Sequence, residues 1–134
     1  MGFGVYVHVP FCQRKCPYCD FYSACGSKAD IYAYTARVIE DIDIYCPPNA
    51  DSMYFGGGTP SLLSADNVRD MISAAKLSEN AEITMECNPN SVTENSLSGY
   101  RNAGVNRISF GVQSLNDREL RTLGRLHSAD EAIN

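Results

Sequence analysis

Residues 82–113 read EITMECNPNSVTENSLSGYRNAGVNRISFGVQ. The stretch opens with a period of two: Ile83, Met85 and Cys87 alternate with Glu82, Thr84, Glu86 and Asn88, which predicts a strand over Glu82–Cys87 with one apolar face. Ser91-Val-Thr-Glu94 then has the form of a capping box, so a helix is expected after it, closing at Gly104. Over Asn106–Val112 the period of two returns, with Ile108, Phe110 and Val112 set against Arg107, Ser109, Gly111 and Gln113. A strand, a helix and a second strand in that order are what a parallel pair needs, because parallel neighbours require a crossover.

Working outward, the same unit recurs. Gly4–Val9 is a first strand, with Tyr6 and His8 opposed to Val5, Val7 and Val9. A helix from near Asp30 to Tyr45 places Ile31, Val38, Ile42 and Tyr45 on one face and ends before Pro47-Pro48. A second strand, Asp51–Phe55, runs into GGGTPS and a helix beginning near Ser64. Past the fourth strand, a short helix is capped at Asn116 and another capping box stands at Ser128–Glu131. These are four strand-helix units of an α/β fold. Parallel strands covered on both faces are nearly continuous apolar runs, yet these strands alternate. The expectation is therefore a partial (β/α) TIM-type barrel, wider than a packed one, whose polar faces line a ligand-holding interior. A flat sheet with one wet face is the alternative. Four units do not close a barrel, so residues 1–134 are expected to be one core domain, incomplete on its C-terminal side, from a longer or truncated chain.

Composition narrows the function. The 134 residues are 44% hydrophobic and 20% charged with a net charge of −5, which suits one globular core and offers no basic stripe for nucleic acid. No apolar run approaches membrane-spanning length, and the N-terminus lacks the form of a signal peptide, which points to a cytoplasmic chain. In that compartment the six cysteines are not a disulfide framework. Cys25, Cys46 and Cys87 are taken as ordinary buried or half-buried residues.

The other three stand together in PFCQRKCPYCDFY, residues 10–22, at a spacing of C-x3-C-x2-C. They follow the first strand, at the end where such barrels place their chemistry. Structural zinc normally has four ligands in two pairs, and no second pair is present. A 4Fe-4S cluster can take three thiolates from Cys12, Cys16 and Cys19 and leave one iron open to a chelating ligand. Zinc and an unligated loop remain as competing possibilities. Pro10 and Pro17 stiffen the loop.

The stretches VYVHVPFCQRKCPYCDFYS, YFGGGTPSLLS, ECNPNSVT, GVNRISFGVQSLND and LGRLHSADEA resemble, in order, the motifs of the radical S-adenosylmethionine family. More narrowly, they resemble the branch that holds oxygen-independent coproporphyrinogen oxidases and related haem chaperones. The resemblance implies that Cys12, Cys16 and Cys19 bind the 4Fe-4S cluster and that S-adenosyl-L-methionine chelates its fourth iron and is cleaved to a 5'-deoxyadenosyl radical. It further implies that Gly57, Gly58 and Thr59 approach the methionine portion of that ligand. Tyr6, Tyr18, Glu86, Gln113 and Arg125 match other contacts to it, the carboxylate and amide suiting ribose hydroxyls or the amino group and the guanidinium suiting the carboxylate. Tyr18 can equally shield the cluster. Outside the resemblance, GGGTP is only a strand-to-helix turn and Arg125 part of a solvated helix end. His8 faces the expected interior, either as a structural hydrogen-bonder or near a tetrapyrrole, and His127 is expected to be structural; neither is taken as a haem ligand.

Within the branch two functions compete. The oxidases typically carry a further cysteine two residues beyond the motif, where this chain has Phe21, and a long arm before the first strand, where this chain has five residues before Tyr6. Both departures favour a chaperone that binds haem and hands it to an acceptor protein over an enzyme converting a porphyrinogen. Either would need an electron donor to the cluster.

Overall fold

The structure, a computed structural model, describes residues 2–134. Four strands, β1 (Gly4–Val9), β2 (Ser52–Gly57), β3 (Glu82–Cys87) and β4 (Arg107–Phe110), form one sheet in the order β1-β2-β3-β4, and every neighbouring pair is parallel. Helices α1 (Lys28–Tyr45), α2 (Ala65–Ala74) and α3 (Glu94–Ala103) make the crossovers, and α4 (Asp117–Thr122) and α5 (Ala129–Ile133) follow β4. The expected α/β order of four strand-helix units is what forms, as an open sheet. A parallel sheet puts all four strand C-termini at one end, so the loops that follow the strands meet there.

The core lies between one face of the sheet and the first three helices. Val7, Val9, Met53, Phe55, Ile83, Met85 and Cys87 pack from the strands against Ile42, Val68, Met71 and Tyr100 from the helices. Burying a side chain of this size stabilises by about 1.5–3 kcal/mol, which fixes the strand register, since a slip of one residue would turn Tyr6 and Glu86 inward. The opposite face carries Tyr6, Tyr54 and Glu86.

The helix starts show where local chemistry overrides pattern. Ser27 caps α1 in a capping box with Asp30, and Ser64 caps α2 in one with Asn67. The box expected at Ser91–Glu94 is instead Thr93 with Ser96. Pro89 opens a 3-10 turn over Pro89–Ser91, and Val92 is extended after it, so α3 cannot start before Glu94. Ser91 serves that turn: its hydroxyl donates to the Asn88 carbonyl at 2.7 Å. Gly104 closes α3 at φ 117°, the left-handed conformation that favours glycine.

Three expectations of burial are corrected. Tyr45 lies 73% exposed at the end of α1, where the buried face consists of Thr35 and Ile42. Cys25 is exposed, whereas Cys46 is half-buried and Cys87 buried. Phe110 is 46% exposed at the end of β4, an edge strand of the sheet. β4 also stops at Phe110, short of Val112. β3 leaves the sheet at Asn88-Pro89, and beyond the Gly111 N–H bond to the Cys87 carbonyl at 2.9 Å there is no strand to pair with. No helix among the described residues is long and apolar enough to cross a membrane.

Candidate functional site

Every strand of this sheet ends in a loop that contributes to one cavity of about 320 Å³. Ten of the eleven sequence-predicted site residues line it: the three cysteines and Tyr18 from the loop after β1, Gly57, Gly58 and Thr59 after β2, Glu86 at the end of β3, Gln113 after β4, and Arg125 after α4. Tyr6 is the exception. It lies on a groove along the free edge of β1, with its ring stacked on Tyr54 at 6.0 Å. Tyr54 in turn donates its phenol to Glu86 Oε1 at 2.8 Å.

The cysteine loop is pinned at both ends. A parallel bridge joins Phe11 to Ala24, with the Cys12 N–H donating to the Ala24 carbonyl at 3.0 Å and the Ala24 N–H to the Pro10 carbonyl at 2.7 Å. On its other side lies the glycine turn, where the Gly58 and Thr59 N–H groups donate to the Val9 and Phe11 carbonyls, each at 2.7 Å. These bonds give the glycines a reason that the sequence did not suggest. A Cβ on Gly58 would fall 2.6 Å from the Phe11 carbonyl oxygen, and Gly57 has φ 106° with the His8 ring 2.7 Å from its missing Cβ. The close neighbour at this turn is the chain's own cysteine strand. With those two N–H groups in use, the turn's backbone retains its carbonyl oxygens as acceptors, a chemistry suited to an amino group.

Cys12, Cys16 and Cys19 are all free and half-buried. Among the described residues no three Cys, His, Asp or Glu side chains stand close enough to hold a single metal ion. Three thiols from one loop lining one cavity are the donor set of a three-cysteine cluster, whereas structural zinc normally takes four ligands in two pairs. The donor set therefore fits a three-cysteine cluster. Hydrogen bonds reach two of the sulfurs: Thr59 Oγ1 lies 3.5 Å from Cys12 Sγ, and Arg125 Nη1 lies 3.5 Å from Cys16 Sγ.

Arg125 is held on three sides. Its Nη2 donates to the Gly111 carbonyl at 2.6 Å and to Asn88 Oδ1 at 2.7 Å, while Nη1 stands 3.4 Å from the Tyr18 hydroxyl. Burial pushes the Tyr18 phenol's pKa up, and the guanidinium beside it acts in the opposite direction. Tyr6 is likewise raised, by burial and then by the Glu86 carboxylate, and Tyr54 chiefly by its hydrogen bond to Glu86. All three phenols stay neutral donors at neutral pH.

Gln113 joins the cavity by a different route from the expected one. Strand alternation ends at Phe110, and Gln113 is turned by a left-handed φ of 70°. His8 and His127 each hydrogen-bond a backbone carbonyl. His8 Nε2 donates to the Tyr22 carbonyl at 2.8 Å, and His127, 4% exposed, bonds the Val112 carbonyl through Nε2 at 3.0 Å. Sequence reasoning passed over Asn88, although it continues the polar side of β3 and sits in the ECNPN stretch. It also passed over Arg14 and Lys15, which bring two cations to the cavity of a chain whose net charge is −5.

A parallel β/α sheet with a three-cysteine loop and a glycine turn around one cavity at its C-terminal end defines a class of α/β protein whose loops gather thiols at a single site. The particular family follows from the sequence: the Radical SAM superfamily pattern matches residues 6–134, and the chain belongs to that superfamily. Among curated proteins it is 40% identical to the heme chaperone HemW of Haemophilus influenzae, over 96% of this chain and 37% of that protein. It is also 40% identical to the Escherichia coli heme chaperone HemW, over 96% and 36%. With the mitochondrial radical S-adenosyl methionine domain-containing protein 1 of Bos taurus it shares 38% identity, over 96% and 31%. The chain thus spans about a third of the length of these relatives. The solved structure of the E. coli radical SAM enzyme coproporphyrinogen III oxidase, HemN, superposes with a TM-score of 0.82 at 23% identity. That match covers 98% of this chain and 32% of the enzyme, and it shows the same fold.

Proposed function

We propose that this chain is the cluster-binding and S-adenosylmethionine-binding part of a haem chaperone, and that residues 1–134 form the first portion of a larger radical SAM core. The observation that carries this reading is the convergence of three free cysteines with Gly58, Glu86, Gln113 and Arg125 on one cavity, in a chain 40% identical to heme chaperones.

In this proposal Cys12, Cys16 and Cys19 hold a 4Fe-4S cluster. The chemistry such a cluster supplies when bound is one-electron cleavage of a sulfonium carbon-sulfur bond, given an external electron donor. The protein's own residues bind and orient. Arg125 has its guanidinium held by Gly111 and Asn88 before any ligand arrives, so its positive charge stands fixed at the cavity wall, where it would attract a carboxylate. The carbonyls of the Gly57–Thr59 turn accept from an amino group. Glu86, kept in place by Tyr54, and Gln113 offer acceptor and amide groups to ribose hydroxyls. Tyr18 covers the cysteine loop, and Tyr6 backs Tyr54. Haem, an acceptor protein and a cytoplasmic setting belong to the complete protein under the same proposal.

An oxygen-independent coproporphyrinogen III oxidase is the second reading, supported by the shared fold. Phe21 stands where such oxidases typically continue with a cysteine, which favours the chaperone. Anaerobic reconstitution of the complete protein separates them. Haem binding and transfer to an acceptor, with no vinyl product from coproporphyrinogen, is expected; robust vinyl formation overturns the assignment.

A further inference from the structure

The Asn88 side chain connects two of the cysteines through residues from two other loops. Its Oδ1 accepts from Arg125 Nη2 at 2.7 Å, and its Nδ2 donates to Thr59 Oγ1 at 3.1 Å. The amide orientation is forced, because a guanidinium has no acceptor: Oδ1 must face Arg125, which turns Nδ2 toward Thr59. The Thr59 hydroxyl therefore accepts from Asn88, and its own hydrogen is directed elsewhere. The group in reach is Cys12 Sγ at 3.5 Å. On the other side Arg125, restrained by Asn88, presents Nη1 to Cys16 Sγ at 3.5 Å.

The surroundings hold this arrangement. Thr59 is 4% exposed, so no bulk water competes for its hydroxyl. A Cβ on Gly111 would lie 3.1 Å from Asn88 Oδ1, so glycine permits the close approach of the segment after β4 to the amide. The Asn88 carbonyl is fixed separately by the Ser91 hydroxyl at 2.7 Å and the Ser91 N–H at 2.9 Å.

We propose that Asn88 is a positioning residue that sets the direction of a hydrogen-bond relay, Asn88 to Thr59 to Cys12 and Asn88 to Arg125 to Cys16, and so tunes the reduction potential of a cluster held by those cysteines. The inference rests on the cluster reading given above. Donors to ligand sulfurs stabilise the more electron-rich reduced state, so the relay raises the potential. Cys19 receives no such bond from the relay, which makes the effect unequal among the three sulfurs.

The test uses the complete protein, reconstituted anaerobically, with the midpoint potential followed by EPR-monitored titration without S-adenosylmethionine. Asn88→Ala and Thr59→Val are expected to lower the potential, Thr59→Ser to restore it, and the double variant to shift it by less than the sum of the singles, since both act on one relay. Should Asn88→Ala fail to fold, Asn88→Asp is close to isosteric. It keeps Arg125 but accepts from Thr59, drawing the hydroxyl away from Cys12, and its potential should fall below that of Thr59→Val. Clusters of wild-type potential in the single variants, or strictly additive shifts, overturn the relay while leaving the cluster reading intact. A wild-type protein that assembles no cluster removes both.

Discussion

Glu86 shows how much a single side chain here depends on a neighbour that makes no direct claim on a ligand. Tyr54 donates to its carboxylate at 2.8 Å, and the net worth of such a bond is about 0.5–1.5 kcal/mol. Tyr54→Phe should therefore weaken S-adenosylmethionine binding to the reconstituted complete protein by roughly 3- to 10-fold while leaving the iron content unchanged, as read by equilibrium binding and metal analysis. Gly58 makes the opposite point, that the absence of a side chain can be specific. An added Cβ meets carbonyl oxygens of Phe11 and Val9 at 2.6 and 2.9 Å, and backbone cannot move aside as a flexible side chain can. Gly58→Ala should cost about 1–3 kcal/mol, visible as a lower denaturant midpoint even in protein without iron. The cysteines were legible in the sequence by their spacing, whereas the glycine turn and Arg125 were singled out only by the resemblance to the family's motifs. Asn88 was not, since an asparagine after a strand is a common turn residue and only its partners, Thr59 and Arg125, reveal its role.

At the scale of elements, strand positions were readable and helix starts less so. β1 and β3 fall where the period of two places them, because the register buries Val7, Val9, Met85 and Cys87. The start of α3 was misplaced because Ser91 and Thr93 both satisfy a capping pattern, and the choice between them is made by the 3-10 turn that Pro89 opens. The seam where β3, that turn and α3 meet predicts a pH response. Burial pushes the Cys87 thiol up to about 11 from an ordinary 9.0, and the Tyr100 phenol up to about 12. Tyr100 donates to the Ser61 and Leu63 carbonyls at 3.0 and 2.8 Å. A raised folded-state value contributes stability that is fully present below the unfolded pKa and is lost as pH rises through the folded one. Urea denaturation midpoints should therefore hold steady through neutral pH and decline from about 9 to about 11, with Cys87→Ala flattening the first part of that decline.

For the molecule as a whole, sheet topology decides function by location: four parallel strands bring four loops, distant in sequence, to one cavity. The alternation of polar and apolar residues announced a sheet with one polar face, and the open sheet has that face. It could not announce that alternation would end at Phe110 or that Gln113 would reach the cavity through a left-handed turn. Those features depend on where β3 runs out of partner strand. The central claim is that three cysteines hold a 4Fe-4S cluster with one iron left for a small chelating ligand. Mössbauer spectroscopy of the complete protein, reconstituted with iron-57 under anaerobic conditions and measured with and without S-adenosylmethionine, tests it most directly. One iron of the four should stand apart and change its isomer shift when the ligand is added. Four equivalent irons indifferent to the ligand, or no cluster at all, would contradict the account.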